Sequence, residues 1–513
     1  MLKSIKLVIL PLSLLIINCS LFIVMSSCSL TTQTKTGNLT GNVVLNNDTG
    51  NSALDPVDYA GVTVALYPLA VLNPVIKEVN TAHPNIGVQI NQETEFDHRL
   101  QNPVKIATTN AGGSFTISKI NKGKYNLVVM KEGWGVHYIY DINIKEGDNT
   151  IRKGNSVLRE NVIQLYPVVV LDGFIYEPFI FRTDHNYLIS NNVTINANVL
   201  FMPNSRIWIN PTKKITFLAQ VCTDSLNEGF SSVSSSDGFY SSTQLQESQL
   251  ERCDGLYFYD NIDFANDRLQ SIIASFSLNG LTVRTSGINI RNLICKNNGI
   301  GLQLDQQSNI IIEKSLFSHN DNPNYGGIAL TGCNQTIVKQ SIFASNIVGL
   351  WQHTSSDADV NNCYFHQNQA KDIMNSYETI SSIEHCKFEE SAIAVETSGR
   401  SNTNVSYCDI QAKTGIVNWY QLGWTSSQFS AHNNNMDCSQ YCVKTRTITY
   451  PEQGFIYFNC ENNYWGVNSS SAIEGKIWDR NDEDTNDPYY ISYMGIVDYA
   501  PFFSAPIPTA GLE

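Results

Sequence analysis

The sequence predicts an all-β chain in two parts, a small β-sandwich followed by a long solenoid of stacked β coils. Three observations predict it. Segments of the form I/V-x-x-C/S-x-F/I, with one variant, recur with their last residues at Cys295, Phe317, Phe343, Phe365, Phe388 and Ile410, at steps of 22, 26, 22, 23 and 22. Upstream, strands that alternate apolar and polar residues are punctuated by glycines, as half-buried strands joined by tight turns are. The repeats carry no amphipathic helical pattern. A repeat of about 20 to 30 residues built on period-two strands cannot bury its apolar face alone and stacks on its neighbours. Leucine-rich repeats share the length, but their L-x-x-L-x-L-x-x-N signature is absent.

The chain opens with a targeting segment. Lys3 and Lys6 form a basic start, no charge interrupts Leu7 to Met25, and Ser26, Ser27 and Cys28 follow. That order is the order of a secretory signal. The Cys after small residues resembles the lipobox of bacterial lipoproteins, in which the Cys becomes the lipid-bearing mature N-terminus. Met25 departs from the usual Leu, and Cys19 is a weaker alternative. The resemblance implies a signal peptide over 1–27, lipidation at Cys28, a polar linker over 28–37, and a place in the bacterial cell envelope at the outer membrane or cell surface. Simple secretion and an uncleaved anchor are the alternatives, and each also puts the folded part outside the cytoplasm. The formal charge of 33 − 47 = −14 argues against nucleic acid as a partner, because an acidic chain gains nothing from counterion release.

Residues 38–156 are expected to form the sandwich. Ala60 to Tyr67 alternates with period two, and Thr109-Asn-Ala-Gly-Gly-Ser-Phe-Thr-Ile117, Ile120 and Gly123-Lys-Tyr-Asn-Leu-Val-Val129 follow. This pattern resembles the carboxypeptidase regulatory-like domain, a transthyretin-like sandwich that serves as an accessory module. Asn73 to Asn102 is a long insertion that departs from the family pattern. His83, His98 and His137 lack metal-site spacing.

Residues 157–510 are expected to form the coils and their cap. Stacking places equivalent residues in columns about 4.8 Å apart. Asn298, Asn320, Asn346 and Asn368 then form an asparagine ladder. Ser341, Cys363, Cys386 and Cys408 form a small buried column, and Phe317, Phe343, Phe365 and Phe388 an inner aromatic stack. This segment resembles the right-handed parallel β-helix proteins of bacterial surfaces, and Glu461 to Gly466 with Val497 to Phe502 resembles their closing segment. An exported compartment could oxidise Cys222 with Cys253, which bracket a Ser-rich loop, and Cys438 with Cys442.

The catalytic motifs of such proteins are missing. There is no polygalacturonase set, no adjacent Asp pair and no Arg-rich lyase strand. Asp357 and Asp372 with His353 could make an acid/base cluster, against the reading that they are solvated loop residues. Asp479, Asp482 and Asp484 could bind calcium, the one cofactor considered, against a solvated cap loop. Trp351, Trp419, Tyr420 and Trp424 could stack on sugar rings or cover the solenoid's flank. The reading preferred is a lipid-anchored surface protein that binds a polysaccharide or surface glycan without catalysis. A polysaccharide lyase or glycoside hydrolase and a protein adhesin are the alternatives.

Overall fold

The computed structural model describes residues 35–47, 58–153, 156–157, 162–223, 229–259, 268–419, 427–446, 456–482 and 495–513. Cys28, Tyr420, Trp424 and Asp484 lie outside them.

The N-terminal part is two four-stranded sheets. In one, Thr36–Leu45 lies between Val162–Leu165 and Ser114–Asn121 and also pairs with Gly147–Thr150. The other runs in the order Lys105–Thr108, Thr63–Pro68, Gly123–Lys131, Gly135–Ile144. Their facing side chains, among them Leu39, Val64, Phe115, Leu127 and Ile142, form one apolar core.

From Val169 onward the chain winds into a parallel, right-handed β-solenoid of about 11 turns. A full coil has three strands, for example Ser308–Glu313, Leu316–Ser318 and Ile328–Thr331. First strands stack into an eight-stranded sheet, and second and third strands into a sheet of 23. Each first strand is followed by one residue in the left-handed region, among them Lys314, Gln340, Asn362 and His385, which turns the chain sharply into the second strand. The long 26-residue step places its extra residues between second and third strand, from His319 to Gly327.

The predicted columns are present. Phe317, Phe343, Phe365 and Phe388 are fully buried, with near-parallel rings at 5.2, 4.7 and 5.0 Å. In the ladder, Asn320 Nδ2 donates to Asn346 Oδ1 at 2.8 Å, and Asn346 Nδ2 to Asn368 Oδ1 at 3.0 Å. Cys363, Cys386 and Cys408 are fully buried free thiols.

Asp372 ends the ladder. Its Oδ1 accepts from Asn368 Nδ2 at 2.7 Å and from Ser391 Oγ at 2.6 Å, while Oδ2 is buried without a partner. Burial disfavours the carboxylate and pushes its pKa up to about 8, against the lowering effect of those two donors. The folded protein therefore holds a proton that the unfolded chain releases near pH 4. Stability should fall as pH rises from about 4 to about 8 and level off above that. Asp372→Asn keeps the shape and should flatten this slope in urea unfolding measured across the same range. An unchanged slope in the variant would show that the proton is held elsewhere.

The insertion between Asn73 and Asn102 joins the two parts. Asn73 caps the helix Pro74–Ala82 through its side chain, with Pro at the first helical position. Ile76, Val79, Ile86, Val88 and Ile90 then pack on Ile273, Ile294, Leu316, Ile342 and Tyr364, the outer positions of second strands. At Gly87, with φ of +67°, the backbone amide donates to Gln340 O at 2.8 Å, and a Cβ there would sit 2.4 Å from Ile342 Cδ1. Only glycine fits both the conformation and the close approach. Arg99 is fully buried beyond this, paired with Asp97 at 2.6 Å and donating to Ser235 O, Asp237 O and Ser234 Oγ.

Candidate functional site

Third strands alternate between the core and the outside. Leu350 and Gln352 are buried, while Trp351 and His353, which alternate with them, are half-buried on the outer flank. Strand register carries the position of Trp351 along the stack as Tyr257, Thr282, Gln303, Ala329, Trp351, Met374, Glu396, Val417, Lys444 and Trp478, of which Thr282, Ala329, Glu396 and Val417 are covered by their neighbours and the others are partly exposed. Nine steps of about 4.8 Å make a stripe about 43 Å long.

Aromatic rings and ion pairs occupy this stripe and the columns beside it. At one end Lys214 Nζ lies 4.5 Å from the Tyr257 ring centroid, and the Arg284 guanidinium 5.4 Å from that of Tyr259. In the middle, Tyr325 meets Trp351 edge-on at 4.7 Å, Trp351 stacks on His353 at 4.5 Å, and His353 touches Tyr377 at 4.5 Å. At the far end Lys444 Nζ stands 5.0 Å from Trp478, 5.8 Å from Tyr441 and 5.9 Å from Trp419. Each contact lies within the range of a cation–π attraction or of ring packing.

The carboxylates here are already engaged. Asp254 accepts from Tyr257 and Asn279 at 2.8 and 2.9 Å, Asp305 pairs with Arg284 at 3.3 Å, and Glu396 with Lys371 at 2.6 Å. Asp305 and Glu396 are four coils apart, about 19 Å along the stack. A glycosidase needs its two carboxyls about 5–10 Å apart. Burial lowers the pKa of His353 and favours its neutral ring, which is hydrogen-bonded to Thr354 Oγ1.

The structure places Trp351, Trp419 and His353 on this one flank. It does not bring His353, Asp357 and Asp372 together. Asp357 begins a first strand on another flank, and Asp372 is inside the corner at the end of the asparagine ladder. Asp479 is buried, with Oδ1 accepting from Asn481 N at 2.8 Å and Oδ2 from Val497 N at 2.9 Å. Asp482 Oδ2 accepts from Asp479 N. These oxygens tie the cap's backbone together, and among the described residues no three His, Cys, Asp or Glu gather as metal ligands.

The expected disulfides are absent. Cys253 is a free thiol that faces inward and donates to Phe276 O at 3.6 Å, whereas Cys222 holds the outward position of Val221–Thr223. Cys438 and Cys442 are adjacent free thiols that donate to Ile410 O at 3.7 Å and Met436 O at 3.2 Å.

Tyr257, Tyr259, Arg284, Tyr325, Tyr377, Tyr441, Lys444 and Trp478 escaped the sequence reading. The signal for them was the alternation of the third strands, obscured because the corner before those strands varies in length.

Comparison with known proteins adds little on activity. No curated protein matches the chain. A crystal structure of the Dettilon tailspike protein aligns at 13% identity and a TM-score of 0.25, over 56% of this chain and 62% of that one. This chain thus spans less than two thirds of the tailspike chain. A family 28 exopolygalacturonase of Yersinia enterocolitica aligns at 10% identity and a TM-score of 0.23, over 80% of this chain and 88% of that one. Residues 270–436, the coils that carry Trp351 and Trp419, match the family described as right handed beta helix region.

Proposed function

We propose that this protein binds an extended polysaccharide along the outer flank of its third strands, without cleaving it, while anchored to the cell envelope through lipidated Cys28. The observation that carries the reading is the stripe from Tyr257 to Trp478. Its length suits a polymer rather than a small molecule, and its rings offer flat apolar faces beside hydrogen-bonding groups. The paired state of Asp254, Asp305 and Glu396 supports binding over hydrolysis. The sandwich then serves as an accessory module, in line with the resemblance of its turn motif.

Retention on a panel of immobilised neutral and acidic polysaccharides tests this. Trp351→Ala should weaken retention about 2- to 10-fold, the loss of one ring's stacking. New reducing ends or unsaturated sugar in the eluate would overturn the non-catalytic reading, and no retention on any polysaccharide would overturn glycan binding. For the anchor, mass spectrometry of membrane-extracted protein should find a diacyl or triacyl modification at Cys28. An unmodified N-terminus elsewhere rules it out.

A further inference from the structure

The outer columns of the second strands turn polar towards the first coils. One reads Arg206, Ser232 and Ile273, and the next Trp208, Ser234, Ser275 and Lys296. Ile207 and Val233 alternate with these positions and belong to the core, so Arg206 and Ser232 point outward. The insertion and the sandwich strand Gly135–Ile144 cover this face. Between them remains a cavity of about 70 Å³, lined by Arg206, Ser232, Tyr138 and Tyr140 among others. It is well below the roughly 300–1,000 Å³ of an organic-ligand site and above the roughly 10–15 Å³ that one water needs.

Arg206 is the unusual part of the wall. It is 6% exposed, and its guanidinium lies 4.8 Å from the Tyr138 ring centroid. A guanidinium has five N–H donors. One goes to Asn204 O at 3.1 Å, and the Tyr140 oxygen takes another. No carboxylate pairs with Arg206 among the described residues. The other charges on the cavity have partners. Arg99 pairs with Asp97 at 2.6 Å, Lys296 lies 3.7 Å from Glu95 and donates to Thr94 O, and Glu93 accepts from Phe230 N at 3.1 Å. A buried cation without a counter-charge is costly, and buried charges are otherwise paired.

Two hydroxyls add donors to the same wall. Ser232 Oγ makes no hydrogen bond among the described residues. Burial pushes the pKa of the Tyr140 hydroxyl up to about 12, so it keeps its proton at neutral pH and has it to donate.

We propose that this cavity holds one small tetrahedral oxyanion, phosphate or sulfate, as a structural ligand where the insertion, the sandwich and the coils meet. The anion supplies the counter-charge that Arg206 lacks. Its oxygens suit the parallel donors of a guanidinium fork, and its remaining acceptors take the hydroxyls of Ser232 and Tyr140. The site lies on the flank of the second strands and is independent of the polysaccharide stripe on the third.

Calorimetric titration of the full chain with sodium phosphate and sodium sulfate, each compared with sodium chloride at equal ionic strength, tests it. An oxyanion should saturate at one site per chain, with chloride weaker by about ten-fold or more because it cannot engage both arms of the fork. Arg206→Gln should weaken the oxyanion about ten-fold or more, the size of one charge-assisted hydrogen bond. Tyr140→Phe leaves the ring packing in place and should weaken it about 2- to 10-fold, the loss of one neutral donor. Glu93→Gln keeps an acceptor for Phe230 N and removes a like charge from the wall, so it should tighten binding. The proposal falls if neither oxyanion saturates, if chloride binds as tightly, if Arg206→Gln and Tyr140→Phe both bind unchanged, or if Glu93→Gln binds more weakly.

Discussion

Phe365→Ala should destabilise the solenoid by about 3–5 kcal/mol, read as a shift in the urea midpoint at unchanged slope. The ring is fully buried and lies flat between Phe343 at 4.7 Å and Phe388 at 5.0 Å. Removing it loses the transfer energy of the side chain and also leaves a cavity. Collapse cannot fill that cavity, because the coils above and below are pinned by backbone hydrogen bonds at about 4.8 Å. Close packing at Gly349 adds to this. A Cβ there would be 3.2 Å from Phe365 Cδ1, so the glycine already marks a place where ring and backbone meet. Phe388→Ala should behave alike. A loss below about 1 kcal/mol would mean that the column faces solvent, since a one-residue slip reverses every side chain.

Arg99→Ala should cost about 3–5 kcal/mol, the penalty for breaking a buried ion pair from one side. The guanidinium spans both parts of the molecule. It belongs to the insertion, yet it donates to Ser235 O at 2.8 Å and to Asp237 O at 3.1 Å in the solenoid's loop, and lies over the rings of Trp208 and Phe276. Burial alone would raise the pKa of Asp97, but Arg99 outweighs it and holds the carboxyl well below the usual range. Without the guanidinium that carboxyl keeps the backbone N–H of position 99, at 2.9 Å, but loses its paired charge, and burial then pushes its pKa up. Destabilisation should therefore be larger at pH 7 than at pH 4. Lysine restores the charge but not the fork, and should recover only part of the loss. A variant as stable as the parent at pH 7 would sink this account.

The solenoid was legible because its repeat is written in residue types. Phenylalanine, asparagine and small residues recur at fixed offsets, and each has one physical use in a stack of coils. The asparagine ladder was readable down to its members, Asn298 to Asn368. The role of Asp372 was not, because a lone acid four residues after a ladder asparagine looks the same whether it faces in or out. The flank of third strands proposed to bind glycan was half legible. Trp351 and Trp419 stood out by residue type, whereas Tyr257, Lys444 and Trp478 join them only through strand register across corners of unequal length. The insertion was recognised as foreign to the sandwich pattern. Its purpose depended on contacts with residues more than 130 positions away, such as Arg99 with Ser235, and no local pattern encodes those.

That separation has a consequence in time. The apolar residues of the insertion end at Ile90, and the surface that covers them extends to Tyr364, 274 residues later. At a synthesis rate of about 5–20 residues per second, the gap is roughly 15–55 s. Until Ile273 is made, 183 residues after Ile90, the residues Ile76, Val79, Ile86, Val88 and Ile90 have none of the second strands to pack on, and their cover is complete only at Tyr364. The sandwich can close on its own core in that interval, but it carries a sticky patch until the coils wind past Ile342. An apolar patch left uncovered for that long is open to association between chains until the coils cover it.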